Sequence, residues 1–157
     1  MKSFSFLAMR GVTPDLWGLA FDGSGNLWTK RRSGYSGETC GISEFPAPLS
    51  ATTSASTQFP FDCGQLEPGL AFDAQGKMYS DSQSGVEVFD PPFGGNATPA
   101  FTIPVQTPQA LAFDRRGNLY VSTGGNIVEF SPPFTSGSAP VVTLATPSGA
   151  TGIAIGQ

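Results

Sequence analysis

Apolar residues in this chain come in short consecutive runs, and each run is followed by a polar turn and a second apolar pair. In one example, the run at residues 70–72 leads through Asp73–Gly76 into the pair at residues 78–79. Consecutive apolar residues are typical of a strand that is covered on both faces. A loop that begins with Asp and ends with Gly favours a three-residue hairpin with a glycine bulge. Each unit therefore predicts two antiparallel strands.

The unit occurs three times, at residues 18–28, 69–79 and 110–120, and a fourth copy begins at residue 152 and stops at residue 155. The aspartates that open the three turns are 51 and 41 residues apart, a spacing at which repeats indicate solenoids or propellers. Six residues are predicted to serve the turns structurally rather than chemically: Asp22, Gly25, Asp73, Gly76, Asp114 and Gly117.

Two further strands follow each hairpin before the next unit opens. The third strand ends at prolines in every copy, as in residues 86–89 before Pro91, and the fourth is a short apolar run such as residues 100–103. Four antiparallel strands in about 42 residues make a propeller blade. We therefore predict an all-β fold, a partial β-propeller of about three four-stranded blades.

The ends of the chain cut through the repeat. The predicted blades occupy residues 14–64, 65–106 and 107–148; residues 1–13 read as a stray outer strand of a preceding blade and residues 149–157 as the first strand of an incomplete one. A ring closes with about four to eight blades. The remaining blades are therefore expected from further sequence of a longer propeller, of which this chain is then a fragment, or from a second copy that completes a ring.

The repeated phrase, Leu-Ala-Phe-Asp followed by Gly-Asn-Leu-Tyr and, later, an apolar-Glu-Phe strand with Pro-Pro-Phe, resembles the NHL repeat and the related senescence marker protein/gluconolactonase-like repeat. The resemblance covers residues 14–157, although the first repeat carries about ten extra residues. It implies a six-bladed propeller, of which the predicted blades represent half or more of the ring. The activities it implies are mixed, because the superfamily includes lactonases, lyases and binding scaffolds. In its lactonases a divalent ion polarises the lactone carbonyl.

The amino-acid composition argues against several kinds of partner and active site. The net charge of −4 argues against nucleic acid as a partner, and no apolar run approaches the length of a membrane span. The chain contains no histidine, which excludes Ser-His catalysis, and two cysteines cannot form a four-thiolate zinc site. No catalytic residue is predicted. No signal peptide is visible at the start of the chain, because Arg10 interrupts a short apolar stretch.

The two cysteines flank the third and fourth strands of the first blade. If these strands pair, Cys40 and Cys63 lie side by side, and a disulfide there would stabilise the blade by about 3 kcal/mol in the chain-entropy model. A disulfide would favour an extracellular or periplasmic location. Two buried thiols are the alternative.

Candidate ligand-binding residues stand just before each inner strand, where the channel of a propeller opens: Asp15, Glu67, Gln109 and Thr151. Carboxylate, amide and hydroxyl oxygens would suit Ca²⁺ or a polar ligand. Ordinary loop polarity explains the same residues, so no cofactor is predicted apart from this calcium hypothesis.

Two functions follow from the sequence. The first is a non-catalytic propeller module that binds a protein, peptide or glycan, which also covers a structural repeat of an exported array. The alternative is a fragment of a lactonase- or esterase-like hydrolase that depends on a divalent cation. The missing catalytic constellations favour the module.

Overall fold

A computed structural model describes residues 15–33, 39–61, 68–146 and 150–155. These ranges contain twelve strands and no helix. Accordingly, nothing helical in the described ranges has the length and hydrophobicity to cross a membrane. The strands of blade 1 are β1 (Asp15–Phe21), β2 (Leu27–Ser33), β3 (Thr39–Phe45) and β4 (Thr57–Phe61). Those of blade 2 are β5 (Leu70–Phe72), β6 (Met78–Ser82), β7 (Gly85–Phe89) and β8 (Phe101–Ile103). Those of blade 3 are β9 (Leu111–Phe113), β10 (Leu119–Ser122), β11 (Asn126–Phe130) and β12 (Val142–Ala145).

Each blade is a four-stranded antiparallel meander in which strands pair in chain order. The register of the first hairpin is the same in all three blades, with Phe21 opposite Leu27, Phe72 opposite Met78 and Phe113 opposite Leu119. The predicted all-β partial propeller is confirmed. The extra residues of the first repeat lengthen β2 and β3, which have seven residues each where β6 and β7 have five.

The blades pack face to face, and their innermost strands adjoin in the order β1, β5, β9. The apolar residues between blades 1 and 2 form one buried cluster, and those between blades 2 and 3 form another. Alternate residues of one strand serve the two clusters: Leu70 points into the first and Ala71 into the second. The central blade is therefore covered on both faces, as its consecutive apolar residues predict.

An aromatic trio repeats at each junction. Trp28 of blade 1 contacts Phe93 of blade 2 with ring centroids 5.1 Å apart, and Phe72 completes the group. At the next junction Tyr79 contacts Phe113 at 4.8 Å, with Phe134 as the third ring. The edge-on and tilted geometries are those that aromatic pairs prefer. The Phe of the Pro-Pro-Phe motif thus packs blade 2 against blade 1 and blade 3 against blade 2.

Candidate functional site

The carboxylate that opens each hairpin is held by the turn itself. In blade 1, Asp22 Oδ1 accepts hydrogen bonds from the backbone amides of Ser24 and Asn26, each at 2.9 Å. Its Oδ2 accepts from the side-chain amide of Asn26 at 2.9 Å and from the indole nitrogen of Trp28 at 3.0 Å. Both oxygens of Asp22 are therefore engaged in joining the turn to the aromatic residue of β2.

The other two hairpins repeat this arrangement. The hydroxyl of Tyr79 donates to Asp73 Oδ2 at 3.0 Å, and the side-chain amide of Asn118 donates to Asp114 Oδ2 at 2.9 Å. The glycine that closes each turn has positive φ, a conformation that disfavours a side chain: the values are +82° at Gly25, +79° at Gly76 and +82° at Gly117. These contacts give the six turn residues a structural task.

The pKa values of these groups follow from the hydrogen bonds. Partial burial alone would raise the pKa of Asp22, but the bonds from Trp28, Asn26 and Ser24 outweigh it and lower the pKa below its usual value. For Tyr79, burial and the nearby Asp73 carboxylate both raise the pKa far above the ordinary range. Tyr79 therefore remains protonated, and a donor to Asp73, over the working pH range.

At the predicted channel mouth, the structure describes part of the candidate set. Gln109 comes just before β9; its backbone amide donates to the carbonyl of Ser122 at 2.8 Å, and its side-chain Oε1 is buried with no hydrogen-bond donor in contact. Thr151 is exposed, and Asp15 is described only as the first residue of β1. Glu67 lies outside the described residues. The calcium or ligand site at these four positions stays a prediction.

A buried ion pair that the sequence analysis missed lies between blades 1 and 2. Lys30 Nζ is 2.6 Å from Asp81 Oδ1, and the two side chains are 2% and 0% exposed. The ammonium also donates to the backbone carbonyl of Asp81 at 3.2 Å. Since separate burial of either charge would cost several kcal/mol, each residue requires the other. The pair fixes β2 of one blade against β6 of the next.

The position of this pair is set by the repeat. The second strand of each blade has an equivalent position eight residues after the aspartate of the turn, occupied by Lys30, Asp81 and Ser122. All three are buried. Ser122 Oγ accepts from the backbone amide of Ala110 at 2.9 Å. The sequence does contain a signal for this ion pair, because Lys30 and Asp81 occupy a repeat position that the strand register buries. The pair was missed because Lys30 is followed by two arginines and resembles part of a basic cluster.

The inner strands leave no room above this pair. A Cβ placed on Gly69 would lie 2.7 Å from Asp81 Oδ1 and 2.8 Å from the carbonyl oxygen of Gln109. The pair is thus sealed from the channel side, and it acts as a structural clamp rather than as a reactive group. Within the described ranges, no group of three or more His, Cys, Asp or Glu side chains is placed to hold a metal ion.

A groove of about 420 Å³ opens at the hairpin ends of blades 2 and 3. The turn after β5 forms one wall, the turn after β9 forms the other, and the segment after β11 closes one side. Its lining combines one carboxylate and three basic side chains with apolar surface: Asp73, Lys77, Arg115, Arg116, Pro133 and Phe134. This groove is the candidate ligand-binding site.

The charges in the groove are unequal. Lys77 is paired with Asp90 across the β6–β7 hairpin, so its charge is largely compensated. Arg115 and Arg116 are exposed, and within the described parts of the chain neither guanidinium forms a salt bridge, while Arg116 interacts electrostatically with the nearby Asp114 carboxylate. The two arginines are therefore the basic groups of the groove that no salt bridge holds, in a protein whose net charge is −4.

The structure describes one of the two cysteines of the predicted disulfide. Cys40, in β3, is 7% exposed. Cys63 lies outside the described residues. The register pairs Cys40 with Phe61, the last residue of β4. The Cys40–Cys63 bond stays a prediction.

The fold and the repeated junctions define a class, the partial β-propeller. The chain is similar in structure to a gluconolactonase from Xanthomonas campestris, described as important in glucose secondary metabolic pathways, with a TM-score of 0.63 and 16% sequence identity. The match covers 97% of this chain and 53% of that protein, so the chain spans about half its length. No protein-family model matches the sequence, and no curated protein matches it significantly. The gluconolactonase-like fold is supported, and the NHL repeat stays a prediction.

Replacing Lys30 by Met should destabilise the protein by about 3–5 kcal/mol, because it leaves the Asp81 carboxylate buried without its countercharge. The double variant K30M/D81S, which copies the serine of blade 3, should recover a large part of that loss. Urea unfolding measures both. Lys77→Met is the matched control, since its pair with Asp90 is 35% and 52% exposed and should contribute about 0–1 kcal/mol. Equal unfolding midpoints for K30M and K77M would contradict the clamp.

Asp22 should make the protein labile to acid. Because its folded-state pKa is below the usual 3.8, its ionised form contributes stability that is complete above that value and is lost as pH falls through the folded-state pKa. The melting temperature of the wild-type protein should therefore fall below pH 4 more steeply than that of D22N, which cannot ionise. Thermal melts between pH 5 and pH 2.5 test this, and parallel curves would show that the Asp22 hydrogen bonds are unimportant.

Proposed function

We propose that this chain is a non-catalytic β-propeller module that binds an acidic peptide segment in the groove between the hairpins of blades 2 and 3. The observation that carries the proposal is the Arg115–Arg116 pair, which stands where the fold requires no charge. Its guanidinium groups are exposed beside an aromatic and proline-rich wall.

The other two hairpins show what this turn needs. The two central positions are Gly23 and Ser24 in blade 1 and Ala74 and Gln75 in blade 2. The glycines that close the three turns have nearly equal φ values, +82°, +79° and +82°, so small and polar residues give the same turn as two arginines. The hairpin therefore does not account for the two arginines, and we attribute them to the binding of a ligand.

The groove suits a peptide with both carboxylates and an apolar side chain. Guanidinium groups bind carboxylates through paired hydrogen bonds. Next to them, Phe134 is half-buried and Pro132 and Pro133 are exposed, which provides an apolar contact for a side chain between two acidic ones. Aromatic and arginine residues are also the types that contribute most at protein interfaces.

We expect R115A/R116Q, which gives the third hairpin the central residues of the second, to bind a hexaglutamate peptide about tenfold more weakly than the wild-type protein. Loss of two charge-assisted hydrogen-bond donors accounts for this size of effect. Fluorescence anisotropy with a labelled peptide measures it, at low salt and at 0.5 M salt, where screening should weaken the wild-type complex.

Hexaglutamine of the same length is the ligand control. The variant control is G23A/S24Q, which gives the first hairpin the central residues of the second at two exposed positions outside the groove. Unchanged unfolding of R115A/R116Q would show that the turn is intact. If the double variant bound hexaglutamate as tightly as the wild-type protein, the groove would not be the binding site.

The second candidate function is a lactonase-like hydrolase that needs a divalent cation, favoured by the structural similarity to a gluconolactonase. In this proposal Gln109, whose Oε1 is buried without a donor, would provide one oxygen ligand at the channel mouth. If this proposal is right, the protein should release acid from gluconolactone in the presence of Ca²⁺. That activity should be lost when EDTA is added, and it should be lost in the variant Q109L. Folded protein that gives the same rate with and without EDTA would leave the binding module as the better proposal.

A further inference from the structure

The loop between β7 and β8 contains a short motif that lies outside the groove. Asn96, Ala97 and Thr98 form the sequence Asn-x-Thr, which marks a surface asparagine of a secreted protein as an acceptor of N-linked glycan. The other asparagines of the chain have no serine or threonine two positions later: Asn26, Asn118 and Asn126. Because the motif is short, the structural setting of Asn96 decides whether it can serve as an acceptor.

Asn96 and Thr98 lie on the surface of blade 2. Both residues are exposed, whereas the other three asparagines are half-buried. Asn96 occupies the third position of a turn that closes through a 2.9 Å hydrogen bond from the backbone amide of Ala97 to the carbonyl of Gly94. A Cβ placed on Gly94 or on Gly95 would meet no atom beyond its chain neighbours within 4 Å. The Asn96 amide therefore stands on an open turn that an enzyme can reach.

The fold does not use the Asn96 side chain. Asn26 and Asn118 each donate a side-chain hydrogen bond of 2.9 Å to the aspartate of their turn, but within the described residues the side chain of Asn96 forms none. The equivalent turns of blades 1 and 3 close through the same type of backbone bond, at 3.2 Å and 3.1 Å. Thr52 and Gly137 stand there in place of Asn96. The turn therefore requires no asparagine at this position.

We infer that Asn96 is an acceptor site for an N-linked glycan, with a lipid-diphosphate-linked oligosaccharide as the donor. In the transfer, Asn96 Nδ2 forms a bond to C1 of the first sugar and loses one proton to the base of the transferase. The bond between C1 and the diphosphate oxygen breaks, and the lipid diphosphate leaves with its electron pair. Nothing is oxidised or reduced. The hydroxyl of Thr98 is the second group of the motif that the transferase recognises.

The glycan site and the groove lie on different sides of blade 2. Phe93, three residues before Asn96, packs on Trp28 of blade 1, whereas the groove opens between blades 2 and 3 and is closed by Phe134. None of the residues that line the groove belongs to the segment 91–99. The inference is therefore independent of the groove and its ligand. It does require a secretory compartment, as the predicted disulfide between Cys40 and Cys63 also does.

Secretion of the full chain from eukaryotic cells, behind a cleaved signal sequence, tests the site. Part of the secreted protein should migrate as a heavier species, and an amidase that releases N-linked glycans should remove that species. The amidase converts the acceptor asparagine to aspartate, so tandem mass spectrometry should find aspartate at position 96 and unchanged Asn26, Asn118 and Asn126. Because Pro99 confines Thr98 to extended backbone conformations, Pro99→Ala should raise the glycosylated fraction.

Variants of the motif give the decisive result. Asn96→Gln and Thr98→Val should each lose the heavier species completely, while Thr98→Ser, which keeps the hydroxyl, should retain it. Valine matches threonine in shape and Thr98 is exposed, so Thr98→Val should be secreted and unfold like the wild-type protein. Secreted wild-type protein without a glycan on Asn96 would overturn the inference, whatever Pro99→Ala does. So would a glycan that Thr98→Val retains.

Discussion

A four-stranded blade in this protein has two apolar faces and cannot bury either of them alone. The faces alternate along every strand, so that Leu70 and Ala71, adjacent in β5, serve different clusters on opposite sides of the sheet. The stability of each blade therefore depends on its neighbours, as in other repeat architectures. Blade 2, with a partner on each side, has strands β6 and β7 almost wholly buried. In blade 3, which lacks one partner, β12 is exposed along its whole length.

Because both faces of a blade are buried, its polar side chains find their hydrogen-bond and ion-pair partners toward the two ends of the strands. At the hairpin end, a single aspartate accepts bonds from the turn amides and from an aromatic side chain, so one carboxylate ties the loop to the core. Near the opposite end of the second strand, blades 1 and 2 share a buried ion pair, and blade 3 uses a serine hydroxyl bonded to its own inner strand. The first solution is local, and its two bonds from turn amides recur in all three repeats, although the side-chain donor differs. The second crosses a junction and differs from blade to blade.

This difference explains how much the sequence could predict. The hairpins, their register and the order of strands follow from contacts within about 20 residues, and a pattern of apolar runs, Asp, Gly and Pro is enough to identify them. The Lys30–Asp81 pair joins residues 51 positions apart, and nothing near Lys30 indicates a carboxylate partner. The groove was missed for the same reason, because Arg115 and Phe134 become neighbours only when the segment after β11 folds back over the turn after β9. Of the four channel-mouth candidates, Glu67 lies outside the described residues, and the calcium or ligand site there stays a prediction.

Internal repeats also separate what the fold needs from what it does not. Where the three blades agree, as at the turn aspartates, the shared contact accounts for the residue. Where they differ at one position with the same backbone, the fold accepts several residues and cannot explain the particular one. The central turn positions are of this kind, since Gly-Ser, Ala-Gln and Arg-Arg support the same hairpin. Position 30 and its equivalents are of a different kind, because the fold accounts for Lys30 and Asp81 through the ion pair that they form with each other. By this reasoning the arginines of blade 3 are a better guide to function than the buried charges, although the buried charges are the more unusual feature of the structure.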